Sequence, residues 1–349
     1  MDSPNSGGRR GHPEVGLDEF TAIGTLRGQF EAAARTGRPE EAVPPVGDTW
    51  IGDDAAVVRP RHPDGWAPDP SDQGVLATDQ AVLATDMVVA GVHFDLDLSG
   101  LDDVGYKALM VTVSDFAAMG ARPEYALVSV AAPAGTDIER LGAGLAAASR
   151  HASCVIVGGD LSESAVLVVS TTAVGWLPPS DHPPMLRSGA RPGDQLFVTG
   201  PLGRSAAGLR LLRRGGELDG ADEAALALAH RRPVARLAEG EVARRAGATA
   251  AIDLSDGLGA DVGHLARASG VGVDLDSVPV ARLATGEEAL VGGEDYELLV
   301  ATGRPDELAD AFRSAGLAPP VPIGMCTEEA GAYTLDGGPL PAGGWRHRF

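Results

Sequence analysis

Leu83-Ala-Thr-Asp-Met-Val-Val-Ala-Gly-Val-His-Phe94 is an apolar, strand-like run that carries one carboxylate, Asp86, among small residues. The same arrangement recurs in Gly52-Asp53-Asp54, Ser114-Asp115, Gly158-Gly159-Asp160, Asp253-Leu-Ser-Asp-Gly257 and Gly292-Gly-Glu-Asp-Tyr296. Each cluster sets an acid beside small residues at the end of an apolar run. Backbone can approach a phosphate there, and carboxylates can hold hard cations. The dispersed set predicts a magnesium and polyphosphate site, and hence chemistry on a nucleotide.

Outward from this stretch the pattern is an alternation. Between residues 51 and 176, strand-like runs at 74–78, 82–85, 125–132, 154–157 and 165–174 alternate with helical spacing at 104–120 and 137–151. Such alternation predicts an α/β or α+β domain built on one sheet. A Pro- and Gly-rich segment from 177 to 184 interrupts it and is read as the boundary. Beyond it, strands at 194–199, 248–253, 272–275 and 296–301 and helices at 205–214, through 245, and 305–316 predict a second α/β unit. Leu258, Val262 and Leu265 fall on one helical face, with Asp261, His264 and Arg267 on others, so Asp256 and Gly257 sit at a helix N-terminus, a ready anion site. Residues 1–17 are read as a disordered extension, 18–177 as one domain and 185–349 as the second. A helix is expected at 19–35 and a surface loop at 59–72.

Composition narrows the function classes. The 349 residues carry a formal charge of −21, which opposes nucleic acid or an anionic membrane as partner. No run reaches the roughly 20 apolar residues of a membrane span, and the N-terminus has no signal-like segment, so a cytoplasmic protein is expected. Cys154 and Cys326 lie far apart without metal-ligand spacing. Phosphoryl transfer asks mainly for alignment and charge neutralisation, and Asp54, Asp86, Asp115, Asp160, Asp253 and Asp256 are the candidates to hold two or more Mg²⁺. Taken singly, an Asp before Gly is more often a turn or cap residue. Lys107 and Tyr106 read as packing or subunit contacts, and Asp79 as a decoy of Asp86.

The ordered motifs GDDAAVV, ATDMVVAGVHF, GYKALMVTVSDFAAMGARP, VGGD, Leu186-Arg-Ser-Gly-Ala190, AIDLSDGL and GGEDYELL closely resemble the thiamine-monophosphate kinase family. That family belongs to the superfamily of aminoimidazole ribonucleotide synthetase. The resemblance implies a two-domain aminoimidazole ribonucleotide synthetase-like α/β (α+β) fold, with an N-terminal sheet that pairs across a homodimer and a C-terminal α/β domain. It implies ATP-dependent phosphorylation of thiamine monophosphate to thiamine diphosphate, with several Mg²⁺ ions per site. Asp86, Asp115 and Asp253 would be catalytic. Metal would be held by Asp54, Thr85, Asp86, Asp115, Asp160, Asp253 and Asp256, and nucleotide by Gly159, Asp160, Arg187 and Ser255. His93, Glu294 and Trp345 would meet thiamine monophosphate. Two positions depart from the family pattern. Ala84 stands where a hydroxyl ligand is expected, and His151 is the nearest substitute for an aromatic residue at the adenine. The rival readings are another enzyme of the superfamily and a nucleotide sensor without turnover.

Overall fold

The computed structural model describes residues 55–58, 81–341 and 343–345. The expectations for residues 1–17, 19–35, 59–72 and 74–78, and for Asp54 and Asp79, lie outside the described residues.

The first sheet contains β1 (Ala56–Val58), β2 (Ala81–Val89), β3 (Arg122–Ala132), β4 (Val155–Glu163) and β5 (Val168–Trp176), in the order β1-β2-β5-β3-β4. Its neighbours are antiparallel except β3 and β4, which run parallel and are joined through a helix, as a parallel pair requires. Strand alternation gives the sheet two unlike faces. Val82, Ala84, Val88, Ala126, Val128, Val130, Val169 and Ala173 are buried on one of them. Leu83, Met87, Tyr125 and Leu127 are exposed on the other.

Helix α1 (Leu101–Met119) covers the buried face. It is buried almost all round, from Val104 to Ser114 and from Phe116 to Met119, because it packs on the first sheet, on strand Ala250–Asp253 of the second sheet, and on three further helices. Asp102 and Asp103 occupy its first turn, where the helix dipole favours acid, and Gly120 closes it in the left-handed conformation. Helix α2 (Ile138–Ala152) crosses α1 at Gly144, where a Cβ would lie 1.9 Å from the Asp102 carbonyl oxygen. Only glycine permits that approach.

The second sheet contains β6 (Gln195–Val198), β7 (Ala250–Asp253), β8 (Gly272–Leu275), β9 (Leu298–Thr302), β10 (Val321–Thr327), β11 (Tyr333–Leu335) and β12 (Gly338–Pro339), in the order β12-β11-β8-β10-β6-β9-β7. Around it lie α3 (Arg204–Arg214), α4 (Gly220–Arg231), α5 (Leu237–Arg245), α6 (Leu258–Ser269), α7 (Gly286–Val291) and α8 (Pro305–Ser314). The Pro-rich segment after β5 is tied down from α5. Buried Arg244 donates to the carbonyl oxygens of Gly120 (3.1 Å), His182 (2.7 Å) and Pro178.

The strand-end placement expected for every acid needs correction. Asp86 lies inside β2, Asp160 inside β4 and Asp115 inside α1, whereas Asp253 ends β7. Strand β4 continues through Gly158-Gly159-Asp160 to Glu163 because β3 pairs with it along that length.

Candidate active site

The site forms where α1, β2 and the end of β7 meet the Gly292–Tyr296 loop. Ser114, fully buried, donates to Asp253 Oδ2 at 2.6 Å and fixes that carboxylate against the helix. The next residue, Asp115, is half-buried. Asp86 reaches the same region from β2, on the face that α1 covers, and its cross-strand partner is Thr171. Tyr296 is buried in the same region, and its phenol is pushed well above its ordinary range by burial and then by the charges of Glu294, Asp86, Asp253 and Asp115. Carboxylates from a strand, a helix, a strand end and a loop thus all act on one buried phenol. Such crowding of like charge is favourable only where cations neutralise it.

The helix start after β7 holds the next acids. Ser255 and Asp256 are half-buried, and Gly257 precedes α6. Asp261 was expected to face away, yet it is buried and turns back to accept from the backbone N–H groups of Asp256 (3.1 Å) and Gly257 (3.0 Å). It thereby satisfies donors that the helix start leaves open. Burial first, then the nearby Asp256 and Asp253 charges, raise its carboxyl well above the usual range. Asp256, Asp261 and His264 bring ligand atoms within 4.8 Å of one another.

The Gly-Gly-Glu-Asp-Tyr-Glu segment does more than the sequence reading assigned. A Cβ on Gly293 would sit 2.5 Å from the Ser255 carbonyl oxygen, so glycine lets this loop lie against the Asp256 loop. The Glu294 N–H donates to the same carbonyl at 2.7 Å. Asp295 accepts from the N–H groups of Gly203 (2.5 Å) and Ser205 (2.9 Å) and caps α3; burial raises its carboxyl to about 6. Glu297, 1% exposed, receives Arg236 in a two-point ion pair and the Thr199 hydroxyl at 2.6 Å. These three acids anchor three different elements, and residue spacing alone gives no signal of it.

His93 lies in the turn after β2, where its Nδ1 accepts from the Val89 N–H at 3.0 Å. The Trp345 N–H donates to the Asp256 carbonyl oxygen at 3.0 Å, which brings the C-terminal segment to the α6 start. Arg187 lies in a short 3-10 turn, Arg187–Gly189, held by the Ser269 hydroxyl. Thr85 does not join Asp86 through its side chain. Adjacent strand residues face opposite ways, and the Thr85 hydroxyl is bonded to Thr172 Oγ1 (2.9 Å) on the open face. Asp160 pairs with Ser129 on that same open face, near the sheet edge. Gly159 lies against Val128, whose carbonyl oxygen would be 1.8 Å from an added Cβ. Ala84 is buried on the covered face, so its own carbonyl is the oxygen it could offer. His151, the substitute expected at the adenine, shares a 2.5 Å contact with the Tyr106 hydroxyl. Lys107 is not the plain packing residue expected, for its ammonium meets Glu294 Oε1 at 2.7 Å.

Among the described residues no helix is long and apolar enough to cross a membrane. The family model for the AIR synthase related protein N-terminal domain matches residues 52–177, and that for the C-terminal domain matches residues 191–335. A thiamine-monophosphate kinase of Corynebacterium glutamicum is 40% identical over 288 residues, 78% of this chain and 82% of that protein. The enzyme of the same name from Aquifex aeolicus is 36% identical over 74% of this chain and 84% of its own length. A solved structure described as AaThiL complexed with AMPPCP and TMP superposes with a TM-score of 0.77 at 32% identity, covering 97% of this chain and 99% of that one. The chain therefore belongs to the AIR synthase related proteins and, among them, to the thiamine-monophosphate kinases.

Proposed function

We infer that this chain transfers the γ-phosphoryl group of ATP to the phosphate of thiamine monophosphate, giving thiamine diphosphate and ADP. The observation that carries this reading is the tie between α1 and β7, where Ser114, next to Asp115, holds the Asp253 carboxylate at 2.6 Å, with Asp86 on the helix-covered face of β2. The acceptor is a phosphate oxygen that is already ionised near neutral pH, so the chain needs no general base. Alignment of the two substrates and neutralisation of their charge are the tasks left to it. Asp86, Asp115 and Asp253 face the phosphates as fixed hard-oxygen donors, and Ser114 holds Asp253 in its rotamer. Ser255 offers polar contact to a phosphate, and Arg187 a charge-assisted one.

The donor set fits Mg²⁺. It consists of carboxylate oxygens, with the buried Thr171 hydroxyl beside Asp86 lacking a hydrogen-bond partner among the described residues. Asp86, Asp115, Asp253 and Asp256 would hold the ions, with Asp54, Thr85 and Asp160 as the further ligands that the family resemblance names. Bound Mg²⁺ would supply charge stabilisation to the transferring phosphoryl group. His93, Glu294 and Trp345 are assigned to thiamine monophosphate, and Gly159, Asp160, Arg187 and Ser255 to ATP. The residue ranges 18–177 and 185–349 are assigned as its two domains.

The working unit is a homodimer in the cytoplasm. Its support is the open face of the first sheet, where Leu83 and Met87 of β2, Tyr125 and Leu127 of β3 and Val155 of the edge strand β4 stand exposed. The activity is tested by incubating the protein with ATP, Mg²⁺ and thiamine monophosphate and reading thiamine diphosphate by chromatography, with free thiamine as control acceptor. Diphosphate formed only from the monophosphate is expected. ATP binding without any product would favour a nucleotide sensor.

A further inference from the structure

Lys107 is 2% exposed and is the buried cation of a helix whose other buried side chains are mostly apolar. A buried ammonium is costly unless it is paired and hydrogen-bonded, so its partners define its role. Its Nζ contacts Glu294 Oε1 at 2.7 Å and donates to the His93 carbonyl oxygen at 3.2 Å. One group from α1 thus ties together the two loops that carry the proposed acceptor-binding residues. The other Glu294 oxygen, Oε2, lies 3.4 Å from His230 Nδ1, and the same nitrogen meets the Ser205 hydroxyl at 3.0 Å. Glu294 itself has a φ of +68°, a left-handed conformation that a residue with a side chain adopts only when its surroundings hold it there.

We propose that Lys107 is a positioning residue for the acceptor half of the site: it fixes Glu294 and the His93 turn as one rigid unit and cancels the Glu294 charge. The proposal rests on the reading that Glu294 meets thiamine monophosphate. Its chemical content is that Glu294 presents an oriented hydrogen-bond acceptor to the substrate rather than a fourth net negative charge beside Asp86, Asp115 and Asp253. A neutral pair of this kind recognises a polar, nitrogen-bearing ring without adding repulsion toward the two phosphate chains.

The test is a double-mutant cycle with Lys107→Met and Glu294→Gln, measuring KM separately for thiamine monophosphate and for ATP, and the thermal midpoint of each protein. Lys107→Met is expected to raise the acceptor KM by about tenfold or more and to leave the ATP KM within about twofold. Glu294→Gln should behave likewise, and the double variant should be no worse than the worse single one. Acceptor losses that simply multiply would overturn the role of Lys107 while leaving Glu294 in the site. An unchanged acceptor KM in Glu294→Gln would remove Glu294 from the site and the proposal with it. Equal rises in both KM values would make Lys107 a general scaffold residue, against the proposal. Lys107→Gln, which keeps a donor without the charge, serves if the Met variant does not fold; failure of both to fold would reduce Lys107 to a structural part and refute the idea.

Discussion

Two arginine–glutamate pairs of the same chemistry differ in surroundings, and the fold therefore assigns them different energies. Arg236 and Glu297 pair with their side chains 23% and 1% exposed, at the entrance of β9. Arg122 and Glu241 pair through two contacts of 2.5 and 2.7 Å, but the Arg122 side chain is 64% exposed. Replacing Arg236 by Met strands a carboxylate away from water, a loss of about 3–5 kcal/mol in comparable buried pairs. The Thr199 hydroxyl still donates to Glu297 at 2.6 Å, which argues for the lower end, about 3 kcal/mol. Replacing Arg122 by Met leaves Glu241 with Arg245 as a second partner and should cost about 0–1 kcal/mol. At roughly 2 °C per kcal/mol for a chain of this size, the expected drops in thermal midpoint are about 6 °C and about 2 °C or less. Differential scanning calorimetry of the two single variants at one scan rate checks the contrast. Joint replacement of Arg236 and Glu297 by Met should recover part of the loss, because it removes the buried charge along with its partner. Equal midpoints for the two single variants, or a larger drop for Arg122→Met, would refute the reasoning from burial.

Further outcomes follow from the site. Asp86→Asn should lower kcat by about 100-fold or more with an unchanged thermal midpoint, and should also shrink the rise in midpoint that Mg²⁺ gives the wild type; near-normal turnover would take Asp86 out of the reaction. Burial, then the Lys107 charge, depress the His230 imidazole from 6.5 to about 4, so the unfolded chain takes up this proton before the fold does. The stability tied to His230 is therefore whole above pH 6.5 and lost as pH falls toward 4, by up to about 3 kcal/mol. Urea unfolding across that window should show a flatter acid limb in His230→Gln, and an unaltered limb would contradict the burial argument. Asp295, raised to about 6, works in the opposite sense between pH 4 and 6, because its neutral form is the one the fold prefers; the wild-type profile is thus a partial cancellation. Leu127→Lys on the open sheet face should convert the proposed dimer to a monomer in light scattering, and a persistent dimer would move the interface elsewhere.

Much of the architecture was legible because period and turn chemistry agree locally. The 272–275 strand coincides with β8, and the apolar spacing of Leu258, Val262 and Leu265 marks α6, which Gly257 precedes. Strand β10 is not among the expected strands; Pro322 and Gly324 interrupt its local pattern, and its pairing with both β6 and β8 overrides that signal. The acids were legible as a set, since their types and neighbours suit phosphate chemistry. Their faces were not. Whether Asp86 or Thr85 turns to the helix depends on strand length and pairing, and the short run expected at 82–85 stops before Asp86. Lys107, Asp295 and Glu297 lay beyond sequence reasoning for the same reason, as each acts on residues brought near only by the tertiary fold.

The alternation along β2 has a consequence for how this chain can change its length. Asp86 faces the helix and Thr85 the open side, with Thr171 and Thr172 paired opposite them on β5. A one-codon deletion or insertion between Ala81 and Asp86 that preserved the turn at Gly91 would either shift every earlier residue to the other face or force a bulge. Buried Val82 and Ala84 would then meet water, and exposed Leu83 would enter the core. Substitutions within this strand are limited by size and polarity, but its reading frame of pairs is fixed. Scanning single-residue deletions through the gene should therefore find β2 among the least tolerant segments, with paired two-residue changes better accepted than single ones.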